Sequence, residues 1–261
     1  MHHEAMNDHG ADGRGEPDKQ RAQYRDVAWH PCFALHISLE MAHINGDEAA
    51  LYEPPLHRNE NLPELHALIR DRVFGLLISN GAEGLIANSV PFVLDSVASR
   101  LGVLKVHIAR ANPQWRDLQE RPDALVVFQG HDHYITPSWY ETKRETGKVV
   151  PTWNYTMVQA KGRAKVMDDS WLAQQIEELT RTLEGRREQP WAVGDAPADF
   201  IRLQRRAIVG IEIEILDIRG KWKTSQNRTA ADRAGVVAGL DALGDEEALA
   251  MAEIVREMGR D

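Results

Sequence analysis

The sequence predicts an α+β protein whose centre is an antiparallel β-barrel. Strand-like segments dominate the middle of the chain, and helix-like segments lie towards its end and between the predicted hairpins. The two kinds of segment do not alternate regularly enough for a doubly wound parallel sheet. The sequence also contains neither a glycine-rich Rossmann fingerprint nor a Walker-type loop. An antiparallel barrel with flanking helices is therefore the expected fold class.

The composition is ordinary for a globular protein: of 261 residues, 43% are hydrophobic and 27% are charged. The apolar runs fall well short of the roughly 20 residues that span a bilayer, and we identify no apolar leader. The single cysteine, Cys32, excludes an intramolecular disulfide, and we expect a cytoplasmic protein. The formal net charge of −9 argues against a generally basic DNA-binding surface and leaves only a local basic patch for nucleic acid.

Residues 1–50 differ from the rest of the chain. They are rich in histidine, aspartate and glycine, and their short apolar islands show no clear period. Such a segment cannot bury enough apolar surface to order itself, so we expect a disordered N-terminal extension. The ordered domain is predicted to span residues 51–261 and to begin at Tyr52-Glu53-Pro54-Pro55.

The first half of the domain is predicted to contain one helix followed by a run of strands. Asn61 and Pro63 mark the helix start, and the apolar residues that follow share one face. Asn80-Gly81 predicts the tight turn of the first hairpin, after a buried strand. The segments with strand character are 74–79, 84–87, 90–94, 103–109 and 124–128, with a short helix at 113–120.

The second half is predicted to combine long strands with amphipathic helices. Residues 208–218 give the clearest strand, because Ile211, Ile213 and Ile215 alternate with glutamates. Residues 149–166 form one long strand or a hairpin interrupted at Gly162. The helical segments are 169–185, capped by Asp169-Ser170 and closed by Gly185, then 199–206 and 230–260.

The most polar segment, residues 220–228, follows the clearest strand. It reads GKWKTSQNR and contains three cations, two hydroxyls, two carboxamides and one indole. Lysine and arginine supply charge-assisted hydrogen-bond donors, the neutral side chains supply others, and Trp222 supplies a stacking face. The segment therefore favours a phosphate or a phosphorylated planar cofactor, with a solvated polar turn as the alternative.

Three other segments join aromatic rings to hydrogen-bonding groups. Taken singly, each has a structural explanation: an Asn-Pro turn that starts a helix, a packed corner of the barrel, and the start of a strand. They are HIARANPQW at 107–115, YITPSWY at 134–140 and VPTWNY at 150–155. Together with residues 220–228 they describe a site with aromatic faces and donors for an anion. FMN satisfies both requirements, because its ring stacks and its phosphate binds cations and hydroxyls.

Other chemistries find less support in the sequence. His131-Asp132-His133 resembles a metal-binding pair, but two alternate histidines are too few ligands for a metal site. The sequence contains no activated-serine elbow, and its only cysteine lies in the N-terminal extension. We therefore assign no catalytic and no metal-binding residues, and a hydrolase has no support.

The four polar and aromatic segments, in this order, resemble the PaiB-type FMN-binding negative transcriptional regulators. The resemblance covers about residues 51–257 and extends to YEPP at 52–55, QPW at 189–191 and AIVG at 207–210. It implies a split β-barrel of the FMN-binding, pyridoxamine-oxidase-like kind. It also implies a homodimer with the flavin near the subunit interface.

The resemblance and the residue types together assign roles to individual side chains. We expect the FMN phosphate to bind Lys221, Lys223 and Arg228, with Ser225 and Gln226 as neutral donors. We expect the rest of the cofactor to contact a second group of residues. Arg110 and Asn112 are expected at the ribityl chain or ring edge. Trp139, Tyr140 and Trp153 are expected to form the walls around the ring, with Asn154 as a hydrogen-bond donor to it.

The first functional hypothesis is a cytoplasmic FMN-binding repressor of transcription. The sequence shows no convincing helix-turn-helix, and the acidic balance does not support direct DNA binding. The alternative is an FMN-dependent oxidoreductase, a flavin reductase or a pyridoxamine-oxidase-like enzyme, because the flavin itself supplies redox chemistry. A non-catalytic flavin-storage barrel is the third hypothesis, so the sequence leaves open whether the protein is an enzyme.

Overall fold

The computed structural model describes residues 51–258, which are organised around an eight-stranded antiparallel sheet. The expected disordered extension, residues 1–50, lies outside the described residues. So does the end of the predicted C-terminal helical segment, residues 259–261. Within the described part of the chain, no helix combines the length and the apolar character that a membrane crossing requires.

The strands differ widely in length, from two residues to sixteen. They are β1 Arg58–Asn59, β2 Phe74–Gly81, β3 Gly84–Pro91, β4 Val93–Asp95, β5 Val103–Ala109, β6 Asp123–Ile135, β7 Thr152–Val166 and β8 Ile208–Lys223. The helices are α1 Leu62–Asp71, α2 Gln114–Glu120, α3 Glu141–Thr146, α4 Asp169–Glu184, α5 Ala198–Arg206, α6 Ala230–Leu243 and α7 Glu246–Glu257. Short 3-10 turns occupy Pro55–His57, Pro137–Trp139 and Val193–Asp195.

The sheet curves into a barrel that is open along one seam. Its strand order is β3-β2-β6-β7-β8-β5-β4, with β1 added beside β8, and every pairing is antiparallel. The two sides of the seam meet where β3 packs against β5, and no hydrogen-bonded ladder joins these two strands in residues 51–258. This arrangement is the antiparallel split barrel with flanking helices that the sequence predicted.

The barrel interior is filled by alternate residues of each strand, as the isoleucine pattern of 208–218 predicted. Ile211, Ile213 and Ile215 are buried there, and α1 covers one end of the barrel with Leu65 and Ile69. Alternation produces this core because successive strand residues point to opposite faces of the sheet. The alternation of apolar and polar residues therefore determines which face of β8 is exposed to solvent.

A bulge in β8 reverses this pattern halfway along the strand. Lys161 pairs with Asp217 and Gly162 pairs with Ile215, so Leu216 is an additional residue in β8. After the bulge, the even-numbered residues face the core, as the packing of Trp222 against it shows. A Cβ atom at Gly162 would lie 2.2 Å from the carbonyl oxygen of Glu214, so only glycine fits opposite the bulge.

A second apolar cluster lies outside the barrel, where α6 and α7 pack against each other and against the end of β6. Its buried members are Ile135, Tyr140, Val236, Leu240, Ala248, Met251, Ala252 and Val255. Two glycines of α6 allow Trp139 to approach this helix closely. A Cβ atom at Gly239 would lie 2.3 Å from the indole ring of Trp139, and one at Gly235 would lie 1.9 Å from its carbonyl oxygen.

Asp232, in the first turn of α6, fastens this cluster to α3. Its buried carboxylate accepts hydrogen bonds from the backbone N–H of Thr142 (2.9 Å) and from the Thr142 hydroxyl (2.8 Å). Burial alone would raise the pKa of Asp232, but the bonds from Thr142, the bond with Thr229 and the nearby Arg228 lower it below its ordinary value. Asp232 is therefore ionised when it holds α3.

Several predicted boundaries were wrong, each for a local reason. The first hairpin turns at residues 82–83 rather than at Asn80-Gly81, because Gly81 still pairs with Gly84 in the ladder. The first strand is only half buried, since Phe74 is 66% exposed. The segment predicted at 149–166 contains a single strand, which starts at Thr152. Strands β6 and β8 extend beyond their predicted ends because β7 pairs with both.

Gly235→Ala is expected to destabilise the protein by about 1–3 kcal/mol, because the new methyl group must displace the Trp139 backbone. In an unobstructed helix the same change would stabilise by up to about 1 kcal/mol. Urea denaturation measures the difference. Gly194→Ala is the matched control, since a Cβ atom there meets nothing within 4 Å. A Gly235→Ala protein as stable as the parent would contradict the close packing of Trp139 on α6.

Candidate functional site

The end of β8 gathers charged and hydroxyl side chains around a histidine. We call His57, Lys221, Lys223, Thr224 and Gln226 the β8-end cluster. The turn Pro55–His57 leads into β1, which pairs with β8 through Arg58 and Lys221 and so carries His57 to the end of the long strand. The cluster therefore joins the beginning of the described chain to the segment 220–228.

His57 is neutral at pH 7 in this setting. Burial, together with the positive charges of Lys223 and Lys221, lowers the pKa of His57 below its ordinary value, and contacts with Gln226 and the backbone of Trp222 only partly oppose this. The Nδ1 atom of His57 is buried and has no hydrogen-bond partner among the described residues.

The two lysines of the β8-end cluster have different surroundings. Lys221 is only 8% exposed, its Nζ donates to the carbonyl oxygen of Tyr52 at 2.8 Å, and the rings of Tyr52 and Tyr155 lie 5.1 and 5.5 Å from it. Lys223 Nζ donates to the hydroxyl of Thr152 at 2.7 Å. Lys221 is therefore engaged in holding the N-terminal segment, whereas Lys223 keeps donors for a ligand.

The turn after β8 is shaped by its own polar side chains. Gln226 accepts from the backbone N–H of Thr224 at 2.7 Å and donates to the carbonyl oxygen of Trp222 at 2.5 Å. Ser225 adopts the left-handed conformation with φ of 67°, and its hydroxyl accepts from the side-chain amide of Asn154 at 3.0 Å. These bonds leave the buried hydroxyl of Thr224 without a partner in the described structure.

Arg228 and Tyr140 form a stacked pair beyond this turn. The guanidinium carbon of Arg228 lies 4.5 Å from the centre of the Tyr140 ring. Burial raises the pKa of Tyr140 above its ordinary value, and the charge of Arg228 offsets only part of this effect. The Tyr140 hydroxyl is thus a neutral donor, and within 51–258 it is buried without a hydrogen-bond partner.

The three aromatic residues predicted to wall the ring do not share one surface. Trp139 packs on α6, and Tyr140 is buried in the cluster of α6 and α7. Trp153 is instead 49% exposed on the other face of the sheet, where its indole N–H donates to Asp132 at 2.7 Å. Its ring meets that of Tyr134 edge-on, with 5.9 Å between the centroids.

Arg110 and Asn112 lie at the opposite end of the barrel from the β8-end cluster. Arg110 donates to the carbonyl oxygens of Arg206 (2.8 Å) and Ile208 (2.9 Å), and Asn112 accepts from the backbone N–H of Gln114 at 3.0 Å. Ile208 begins β8, a strand of 16 residues. The contour length of such a strand is roughly 50 Å, so one chain does not bring these residues together with Lys223.

The histidines before YITPSWY make separate contacts. His131 Nδ1 lies 2.7 Å from a guanidinium nitrogen of Arg72 and 3.0 Å from a carboxylate oxygen of Glu247, whereas His133 Nδ1 lies 2.7 Å from the carbonyl oxygen of Tyr134. Among the described residues, no group of three or more potential ligands is arranged for a metal ion.

Two of the larger cavities have no member of the β8-end cluster in their lining. One, of about 480 Å³, is lined by residues of α1, β6 and α7 together with Trp222. The other, of about 460 Å³, lies beside Arg70 and Phe74. Neither is lined by Lys223 or His57. The candidate site is thus defined by its donor chemistry rather than by an enclosed cavity.

Two members of the cluster, His57 and Thr224, were not among the site residues predicted from the sequence. Thr224 lies inside the segment 220–228, but its hydroxyl is distinguished only by burial without a partner. No local pattern identifies His57, because it reaches the site only through the pairing of β1 with β8. The one sequence signal was its position two residues after Tyr52-Glu53-Pro54-Pro55.

Known proteins resemble this chain over most of its length. An uncharacterized protein of Aspergillus fumigatus is 37% identical over 255 residues, covering 80% of this chain and 98% of its own. The protease synthase and sporulation protein PAI 2 of Bacillus subtilis is 28% identical over 207 residues, covering 79% of this chain and 97% of its own. A solved FAD- and heme-binding protein of Mycobacterium smegmatis aligns with a TM-score of 0.49 at 15% identity, over 64% of this chain and 73% of its own.

A family model also matches the barrel. Residues 51–217 match the model described as "Putative FMN-binding domain", so the match includes His57 and ends before Lys221, Lys223, Thr224 and Gln226 of the β8-end cluster. The side chains that β8 and the following turn contribute to the cluster therefore lie outside the family match. The chain belongs to this FMN-binding domain family, as its resemblance to the PaiB-type proteins indicated, and FMN is the cofactor of the family.

Proposed function

We propose that the β8-end cluster holds the phosphate of FMN. The observation that carries this proposal is that two polar atoms of the β8-end cluster, His57 Nδ1 and Thr224 Oγ1, are buried and have no hydrogen-bond partner among residues 51–258. Lys223 lies close enough to His57 for its charge to act on the imidazole. A buried polar group left without a hydrogen bond costs about 1–3 kcal/mol, so a ligand that supplies acceptors stabilises this arrangement. Phosphate offers such acceptors, and its charge suits the lysine. The residues present therefore fit the cofactor.

The side chains of the site divide into ligands and supports. Lys223 and Thr224 donate to the phosphate, and Tyr140 offers its hydroxyl to a polar edge of the flavin. Ser225, Gln226 and Asn154 hold the turn that presents them, through the bonds described above. Arg228 acts from its stacked position on Tyr140, where its guanidinium N–H groups add positive charge. When bound, FMN supplies redox chemistry, while the protein supplies binding, orientation and electrostatics.

We further propose that two copies of the chain complete the site. The large separation of Arg110 and Asn112 from Lys223 within one chain supports this, since both ends carry predicted flavin contacts. The exposed ring pair of Tyr134 and Trp153 also supports it, because flat exposed aromatics are typical of surfaces that a partner or a ligand covers. In this homodimer, Arg110 and Asn112 of one copy contact the ribityl chain or ring held by the other.

The biological role that we propose first is that of a PaiB-type negative regulator. The resemblance supports it, and so does the similarity to a Bacillus protein named for sporulation. Direct DNA contact through the C-terminal helices has little electrostatic support. Acidic side chains that are not buried outnumber basic ones on α6 and α7: they are Asp241, Glu246, Glu247, Glu253 and Glu257, against Arg233 and Arg256. That surface favours the second candidate, an FMN-dependent oxidoreductase, or regulation without direct DNA contact.

Lys223→Ala is expected to weaken FMN binding by about 1.5–3 kcal/mol, because it removes a charge-assisted bond to the phosphate. Lys221→Ala is expected to affect stability instead, since Lys221 Nζ bonds the Tyr52 carbonyl rather than a ligand. Titration by flavin fluorescence gives the affinity, and urea denaturation gives the stability.

Lys165→Ala, an exposed lysine of β7, serves as the control for lost positive charge. If Lys221→Ala weakened FMN binding as much as Lys223→Ala without loss of stability, the roles proposed for the two lysines, Lys223 in ligand binding and Lys221 in stability, would be wrong. If neither variant changed the affinity, the phosphate would bind elsewhere.

Tyr140→Phe is expected to leave the free protein as stable as before, or more stable by up to about 1 kcal/mol, because it removes a buried hydroxyl that no group in residues 51–258 bonds. The same change is expected to weaken FMN binding about three- to tenfold, through loss of one hydrogen bond. Tyr52→Phe is the control, since the Tyr52 ring is 81% exposed. A Tyr140→Phe protein that is less stable and binds FMN normally would refute this role.

Two measurements separate the regulator from the oxidoreductase. The FMN-loaded protein is mixed with NADH or NADPH, and bleaching of the flavin absorbance near neutral pH is followed in time. Rapid, repeated reduction and reoxidation of the bound flavin supports the oxidoreductase. A salt-sensitive shift of the DNA upstream of the protein's own coding sequence, without such turnover, supports the regulator. A purified protein that neither contains nor takes up FMN would refute both.

A further inference from the structure

We propose that His57 takes up a proton when the phosphate of FMN binds, and that it then acts as a second cation beside Lys223. Affinity for FMN would consequently depend on pH in the neutral range. This inference rests on the proposed phosphate site and adds to it a residue and a form of regulation. The proton comes from solvent, and no covalent bond is made or broken.

The position of His57 supports the inference. Pairing of Arg58 with Lys221 and of Asn59 with Gly220 fixes the chain beside β8, and the Pro55–His57 turn directs the histidine towards the end of that strand. One ring nitrogen, Nδ1, is buried there and has no hydrogen-bond partner in the described part of the chain. A neutral imidazole has one donor and one acceptor, whereas a protonated one donates from both nitrogens. Protonation therefore matches the ring to an anion with several acceptor oxygens.

The charges around His57 explain why it is neutral before the ligand arrives. From β8, Lys221 and Lys223 face it with positive charge; from the following turn, Gln226 faces it with a neutral amide, and Trp222 contributes only backbone. Burial and the two lysines lower the pKa of His57 below its ordinary value. A phosphate carrying nearly two negative charges reverses this balance, because an opposite charge within a few ångströms favours the protonated form.

The direction of the pH effect follows from this linkage. If the bound state holds more protons than the free state, affinity rises as pH falls through the interval between the two pKa values of His57. The effect is clearest above the second pKa of the phosphate, about 6, where the phosphate stays a dianion. One linked proton changes the dissociation constant by at most about tenfold per pH unit.

The test measures binding of FMN to the full chain by flavin fluorescence between pH 7.0 and 8.5. We expect binding about three- to tenfold tighter at pH 7.0 than at pH 8.5. Calorimetry at pH 7.0, in two buffers of different ionisation enthalpy, should show net proton uptake by the parent protein. Riboflavin, which lacks the phosphate, should bind without this pH dependence.

His57→Asn retains a nitrogen donor near the position of Nδ1 but cannot be protonated, so its FMN affinity should be flat across this pH range. His107→Gln is the matched control, because His107 pairs with Gly210 near the far end of β8 and bonds Gln175 there. That variant should keep the pH dependence of the parent.

The outcomes distinguish this inference from the proposed function. Binding of FMN without proton uptake by the parent protein would overturn the role of His57 and leave the phosphate site standing. A pH dependence that survives in His57→Asn, or that riboflavin shares, would do the same. Failure of FMN to bind at any pH would remove the phosphate site itself, and the inference with it.

Discussion

One additional residue in β8 determines which side chains the site can use. Ahead of Leu216 the odd-numbered residues fill the barrel, and behind it the even-numbered ones do. Because strand side chains alternate strictly, a single inserted residue moves every later side chain to the other face. Without the bulge, Lys221 and Lys223 would point into an apolar core, and the indole of Trp222 would point to solvent. The backbone space left by Gly162 makes this change of phase sterically possible.

The candidate site joins parts of the chain that are distant in sequence. Lys221 binds the carbonyl oxygen of Tyr52, and β1 pairs with β8. These two contacts together place His57 beside the end of β8. Asn154 of β7 donates a hydrogen bond to Ser225, the residue with left-handed backbone conformation, and Arg228 stacks on the ring of Tyr140. Folding of the barrel and formation of the site are therefore coupled. A ligand that binds only this assembled arrangement must also stabilise it against unfolding.

The sequence predicted those features that repeat along an element and missed those that arise between elements. The isoleucine alternation of 208–218 placed β8 in the sheet, but the prediction contained no bulge at Leu216 and ended five residues before the strand does. Residue type drew attention to 220–228, but it could not show that Lys221 bonds a backbone carbonyl whereas Lys223 bonds a hydroxyl. Arg110 was selected for its charge, and in the chain it binds backbone carbonyls beside α5. His57 could be found only once strand pairing was known.

The open seam of the barrel has a consequence for how the molecule avoids self-association. A sheet that is not closed has two free edges, and free edges invite pairing with other chains. Here one edge strand, β4, has only three residues, and the other, β3, ends at Pro91, whose nitrogen cannot donate a hydrogen bond. The β3 edge also packs against β5, the strand next to the other edge. The gap in the ladder is thereby kept from acting as a template for the edge-to-edge growth that leads to aggregates.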